Sequence, residues 1–133
     1  MRVIFLAVLL FFITSYTSAQ ERQYSTTDKS AIKYFALANT NLDDHLFDEA
    51  VDNLQKAIAE DDKFIEAHAV LGDLYKQMRN YKGAIEQFQK VIALNPEFSR
   101  AVYLRIGELE INGGQYDVAR HHLEKYLTFP NLV

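Results

Sequence analysis

At 133 residues the chain is long enough for one domain and short for two. Its 14 Lys and Arg against 18 Asp and Glu give a net charge of −4, which excludes the clustered positive surface that nucleic acid requires. There is no cysteine, so disulfides and thiolate metal sites are excluded and stability must come from packing.

The first twenty residues, MRVIFLAVLLFFITSYTSAQ, differ from the rest. One basic residue (Arg2) precedes an apolar run from Val3 to Ile13, and small polar residues follow, with Thr17 and Ala19 placed before a cut. This is the three-part layout of a secretory signal peptide. The apolar run is well short of the roughly 20 residues that cross a bilayer. It predicts a signal peptide at 1–19 and an exported mature chain without membrane insertion. Without Arg2 the net charge becomes −5, and with no cysteine lipid attachment through a thiol is excluded. Residues 20–30 read as a polar N-terminal segment.

From residue 31 onwards the pattern is helical and repeats. It is clearest in IEAHAVLGDLYKQM, with apolar residues at 65, 67, 69, 70, 71, 74, 75 and 78, and in YKGAIEQFQKVIAL, with apolar residues at 81, 84, 85, 88, 91, 92 and 94. Between them Arg79-Asn80 forms a turn whose Asn80 can cap the second helix, and Asn95-Pro96 ends that helix. Moved back 34 residues, Gly72 falls on Ala38, Tyr81 on Phe47, Ala84 on Ala50 and Phe88 on Leu54. Moved forward 35, the same residues fall on Gly107, Tyr116, Ala119 and Leu123, the extra residue lying in NPEFSR. The chain is therefore three copies of a two-helix unit, at about 31–64, 65–98 and 100–133. Small residues at 38, 72 and 107, and at 50, 84 and 119, mark where the helices of a pair cross closely, with Tyr75, Tyr81 and Phe88 filling the spaces between.

These residues resemble the tetratricopeptide repeat, whose pattern is W-x2-L-G-x2-Y, then A-x3-F, then P, over 34 residues. The second copy matches at Leu71, Gly72, Tyr75, Ala84, Phe88 and Pro96, with His68 in place of Trp. The first matches at Tyr34, Leu37, Ala38, Ala50 and Ala57, with Asn41 for Tyr and Asp62 for Pro. The third matches at Tyr103, Ile106, Gly107, Ala119 and Leu123, with Glu110 for Tyr. The resemblance implies an all-α, right-handed solenoid of three helix-turn-helix repeats with a concave groove lined by the first helix of each pair, and protein binding as its function.

The family's groove positions fall on Ile32, Phe35, Asn39, Leu42 and Asp43, then Glu66, Ala69, Asp73, Lys76 and Gln77, then Ala101, Leu104, Glu108, Ile111 and Asn112. Asn39, Asp73, Lys76, Glu108 and Asn112 are the expected binding residues. Only Lys76 is basic, so the expected ligand is a protein or peptide with basic and aliphatic side chains. A family subtype clamps a C-terminal carboxylate with five Lys, Asn and Arg residues. Here Asn39 and Arg105 match that set while Phe35, Val70 and Ala101 do not, so chaperone C-termini are not expected ligands.

No enzyme, metal or cofactor chemistry is expected. His45, His68, His121 and His122 lack zinc spacing, His68 is placed at a helix interface, and His121 and His122 read as a solvated face. The acidic run at 60–62 lacks the alternation and glycine of a calcium loop, and Gly113-Gly114 reads as a turn that permits positive φ. The third unit leaves Ile106, Leu123, Tyr126 and Leu127 partly uncovered at the end of the array. A longer native chain, a homodimer through this last repeat, or a partner would cover them. A signal ending in SAQ before such repeats is similar to Gram-negative envelope proteins that continue into a β-propeller and a peptidoglycan-binding domain. That similarity implies passage across the inner membrane to the periplasm or the outer membrane, and a role as adaptor or scaffold in the envelope; the alternative is a structural spacer or oligomerisation element with an idle groove.

Overall fold

The computed structural model describes residues 23–130; the expected signal peptide at 1–19 lies outside them. The described residues form six helices: α1 Lys29–Asp43, α2 Phe47–Glu60, α3 Ile65–Gln77, α4 Tyr81–Leu94, α5 Arg100–Asn112 and α6 Tyr116–Thr128. Each odd-numbered helix packs most extensively on the helix that follows it, and α2–α3 and α4–α5 contacts join the pairs. The result is three helix hairpins stacked in chain order, the all-α tetratricopeptide architecture.

The three hairpin turns are copies. Leu46 N–H donates to Asn41 O, Asn80 N–H to Tyr75 O and Gln115 N–H to Glu110 O, each at 2.8 Å. This is the six-to-one closure of a Schellman end, and it requires a left-handed residue just before the donor. His45 (φ 60°), Arg79 (φ 62°) and Gly114 (φ 76°) fill that place, so the expected positive φ at the glycine pair recurs at two non-glycine positions. Asn80 caps α4 by accepting from Gly83 N–H at 3.1 Å, as its sequence position predicts.

The small residues act as spacing predicts. A methyl group added at Gly72 would lie 2.6 Å from the Phe88 ring, and one at Gly107 would lie 2.8 Å from Leu123. In the first pair Ala38 faces the smaller Leu54, and both are fully buried. The core forms two clusters, one from Ala31, Phe35, Leu54, Phe64 and Leu71, the other from Phe88, Val91, Val102 and Ile106.

Three expectations are corrected. Ile106, read as partly uncovered at the end of the array, is fully buried in the second core cluster with Phe88 and Val102. Tyr81, read as a space-filler, is 47% exposed, because the register places it at the start of α4 beyond the helix crossing. His122, read as solvated, is half-buried and bonded through Nδ1 to the carboxylate of Glu110 at 2.8 Å, while His121 is exposed as expected. Glu110 stands where the repeat pattern has Tyr and is only 1% exposed. The same two register positions carry Asn41 and Asn53 in the first pair, bonded at 2.8 Å. His68 is buried as expected, held between Gln87 at 2.7 Å and the Asp62 carbonyl at 2.9 Å.

Residues 23–28 are part of the fold. Asp28 caps α1 at Ala31 N–H, 2.8 Å away. Tyr24 packs edge-on against Phe35 and Phe64, with ring centroids at 5.4 and 5.7 Å. Ser25 Oγ accepts from Ile65 N–H at 2.9 Å, and the Ser25 backbone N–H donates to the Glu66 carboxylate at 3.0 Å. The N-cap residue of α3, Phe64, makes no side-chain cap bond. Ser25 thus caps α3 from 40 residues upstream, with Glu66 bonding back as in a capping box.

Candidate functional site

A groove of about 540 Å³ runs along the inner faces of α1 and α3. Its walls are Gln23, Tyr24, Phe35, Asn39, Glu66, Ala69, Val70 and Phe98. The sequence fixes these walls through the helical period: positions 35 and 39, and 66, 69 and 70, face one side of their helices. Phe35 is also core, 5% exposed beneath Tyr24.

The expected binding residues divide. Asn39 lines the groove. Asp73 and Lys76, on α3, turn to α5: Arg105 Nε lies 3.1 Å from Asp73 Oδ1, and Lys76 Nζ lies 3.0 Å from Glu108 Oε2. Asn112 is the last, exposed residue of α5 and is not part of the groove wall. Arg105 supplies a second cation on this surface beside Lys76. The two ion pairs balance four of these charges within the chain, while Glu66 accepts hydrogen bonds from Ser25 and keeps its negative charge. Burial is the largest influence on Asp73 and pushes its carboxyl above the ordinary carboxylate value, against the opposing pull of Arg105 and Lys76. These half-exposed pairs set how α3 sits on α5 more than they add stability.

Gln23, Tyr24 and Phe98 were not among the groove residues read from sequence, and Val70 entered there only as a position of the carboxylate clamp. Tyr24 is the aromatic residue of an otherwise polar stretch, and Phe98 repeats Phe64 at 34 residues' spacing; both are visible signals. A second cleft of about 320 Å³ lies among α2, α3 and α4, with His68, Gln87, Tyr75 and Lys90 in its wall. Among the described residues no three His, Asp or Glu converge as metal ligands. Also among them, no helix is long and apolar enough to cross a membrane.

Comparison with known proteins agrees with this architecture. The tetratricopeptide-repeat family profile matches residues 65–98, the second hairpin. A MamA crystal structure superposes with a TM-score of 0.70 at 33% identity, covering 74% of this chain and 57% of that one. A second MamA structure gives 0.68 at 33% identity, covering 74% and 53%, so this chain spans little more than half of either. The second repeat domain of Spaghetti (RPAP3), solved bound to the HSP90 peptide SRMEEVD, gives 0.69 at 19% identity, covering 77% of this chain and 94% of that one, which is likeness of fold alone. No curated protein sequence matches the chain significantly. The second hairpin thus matches the tetratricopeptide-repeat family, and the three hairpins together have the fold of those repeat proteins.

Proposed function

We propose that this chain is an exported adaptor or scaffold of the cell envelope that captures a protein segment in the groove between α1 and α3. The observation that carries the reading is the open apolar floor made by Tyr24, Ala69, Val70 and Phe98, edged by Asn39 and Glu66. An apolar, open channel with a few polar edges is the form that peptide-binding grooves take. The peptide held by the RPAP3 repeats supports a peptide-sized ligand, although Phe35, Val70 and Ala101 remove the carboxylate clamp here. The α3–α5 charges are paired with each other, and Glu66 at the groove's edge favours a basic side chain beside the apolar contact. Export is supported by the layout of residues 1–19.

The test is selection of peptides from a displayed library on the chain from Gln20 onward, followed by calorimetric titration of those selected. Val70→Asp should weaken binding at least about tenfold, since a charge on the floor loses its water when covered. Helicity should be unchanged. Selected peptides that bind Val70→Asp as tightly as the wild type would sink the groove as the site.

A second reading is favoured by the exposure on α6 of Tyr116 (68%), Val118 (47%) and Leu127 (76%). In it the array serves as a spacer that dimerises through its last hairpin. Light scattering decides this: a concentration-dependent dimer that Leu127→Asp dissociates supports it, and a monomer at all concentrations rejects it.

A further inference from the structure

The groove crosses two junctions built alike, and the chain fills one of them. Phe64 and Phe98 end the same turn: Phe64 N–H donates to Asp61 O and Phe98 N–H to Asn95 O, both at 3.1 Å. The side chains of Asp61 and Asn95 accept from Lys63 N–H and Glu97 N–H at 2.9 and 3.0 Å. The two phenylalanines are therefore delivered to equivalent places, one between α1 and α3, the other between α3 and α5.

Their surroundings differ. Phe64 is fully buried, with the Phe35 ring 4.9 Å away and the Tyr24 ring 5.7 Å away. Phe98 is 36% exposed. In its junction the register position of Phe35 is held by Ala69, so one ring is missing. The strap that brings Tyr24 covers only the first junction, and its own bonds end at Glu66 and Ile65. The groove continues from Tyr24 without interruption to Ala69, Val70 and Phe98.

We infer that the α3–α5 junction is a subsite for an aromatic side chain of the partner segment, held over Ala69 and against Val70 and Phe98 in the space that the Phe35 ring fills beside Phe64. The inference rests on the interaction reading above and specifies its ligand. The occupant is aromatic because the space continues a stack of rings already built from this chain. Edge-on and tilted ring pairs at such separations gain beyond their buried area. The ring would lie on an apolar floor that continues an interface the fold already makes.

The experiment is a nuclear magnetic resonance titration of the isotope-labelled chain from Gln20 onward with N-acetyl-tyrosinamide and, separately, N-acetyl-leucinamide. Expected are shift changes at Ala69, Val70 and Phe98, with the tyrosine amide binding about 2- to 12-fold more tightly than the leucine amide. Ala69→Phe supplies the missing ring and should abolish those changes, while Ala69→Ser keeps the space and should preserve them. Should Ala69→Phe fail to fold, Phe98→Ala serves instead and should weaken the tyrosine amide while leaving Tyr24 in place. Equal affinity for the two amides, changes centred elsewhere, or binding unaltered by these variants overturns the subsite. Library peptides that lack an aromatic residue and bind Ala69→Phe unchanged also overturn it, but leave the groove as the ligand site. Tyrosine amide bound at Phe98 with no peptide captured rejects the interaction reading and keeps the subsite.

Discussion

The first and third hairpins are the same unit at the same register, yet they meet their surroundings in opposite ways. In α3 the residues Ala67, Leu71 and Leu74 are buried among the side chains of the first core cluster, and in α5 Val102, Ile106 and Leu109 occupy the same register in the second. In α1 that register holds Lys33, Leu37 and Thr40, all exposed. Polar replacement thus gives the array a water-compatible face on its first side. At the other side α6 keeps an aliphatic residue, Leu127, where α2 and α4 have half-buried Ile58 and Ile92. Helix identity follows from the repeat, and burial from what lies next to it.

The largest effect should come from truncating that shared register in the two hairpins. Ile106→Ala removes a fully buried side chain and should cost about 2–5 kcal/mol in urea unfolding. Leu37→Ala removes one that is 44% exposed and should cost well under about 1 kcal/mol. Equal losses would show that α1 is covered in solution by something the chain does not supply.

Next is the polar pair inside each hairpin. His122→Ala leaves the Glu110 carboxylate buried without its partner and should cost about 3 kcal/mol, with Glu110→Gln in the same chain recovering part of it. Asn53→Ala in the first hairpin breaks a neutral amide pair and should cost about 1 kcal/mol. A similar cost for both would mean that water reaches Glu110.

Much of this was legible beforehand. Six helices, three turns and the closeness of Gly72 to Phe88 follow from small residues and capping residues at fixed spacing, which act locally or across a single hairpin. The buried state of His122 was not legible, because it depends on Glu110 filling a tyrosine's place on another helix. Nor was the use of Ser25 as a cap for α3, since a serine in a polar segment carries no mark of which distant amide it will meet. Asp73, Lys76, Glu108 and Arg105 were all read as groove positions, but their pairing emerges only when α3 and α5 are laid side by side. Local periodicity is written in one helix; polar pairing is written in two.

The hairpin turns give a smaller contrast. Gly114 adopts its left-handed φ without strain, whereas His45 holds a similar φ of 60° with a side chain. His45→Gly should therefore stabilise by up to about 1 kcal/mol, and Gly114→Ala should destabilise by a similar amount. Thermal unfolding of the two variants, read against the wild type, checks both signs.

The smallest effect concerns how the hairpins are joined, by the Ser25 strap at the first junction and by ion pairs at the second. The Asp73–Arg105 pair is about 40% exposed on each side, at 44% and 37%, so Asp73→Asn should change stability by less than about 1 kcal/mol. Its pH dependence has a definite sign. Burial raises the folded-state value of the Asp73 carboxyl above its unfolded value, so the folded state holds this proton more tightly. The resulting stabilisation is fully present below the unfolded value and is lost as pH rises through the folded one. Through the acid range around and just above the ordinary carboxylate value, the wild type should therefore lose stability relative to Asp73→Asn as pH increases. A difference that instead grew in the wild type's favour with pH would mean that Arg105 and Lys76 outweigh burial at this carboxylate. The second junction would then be held by charge, where the first is held by a strap.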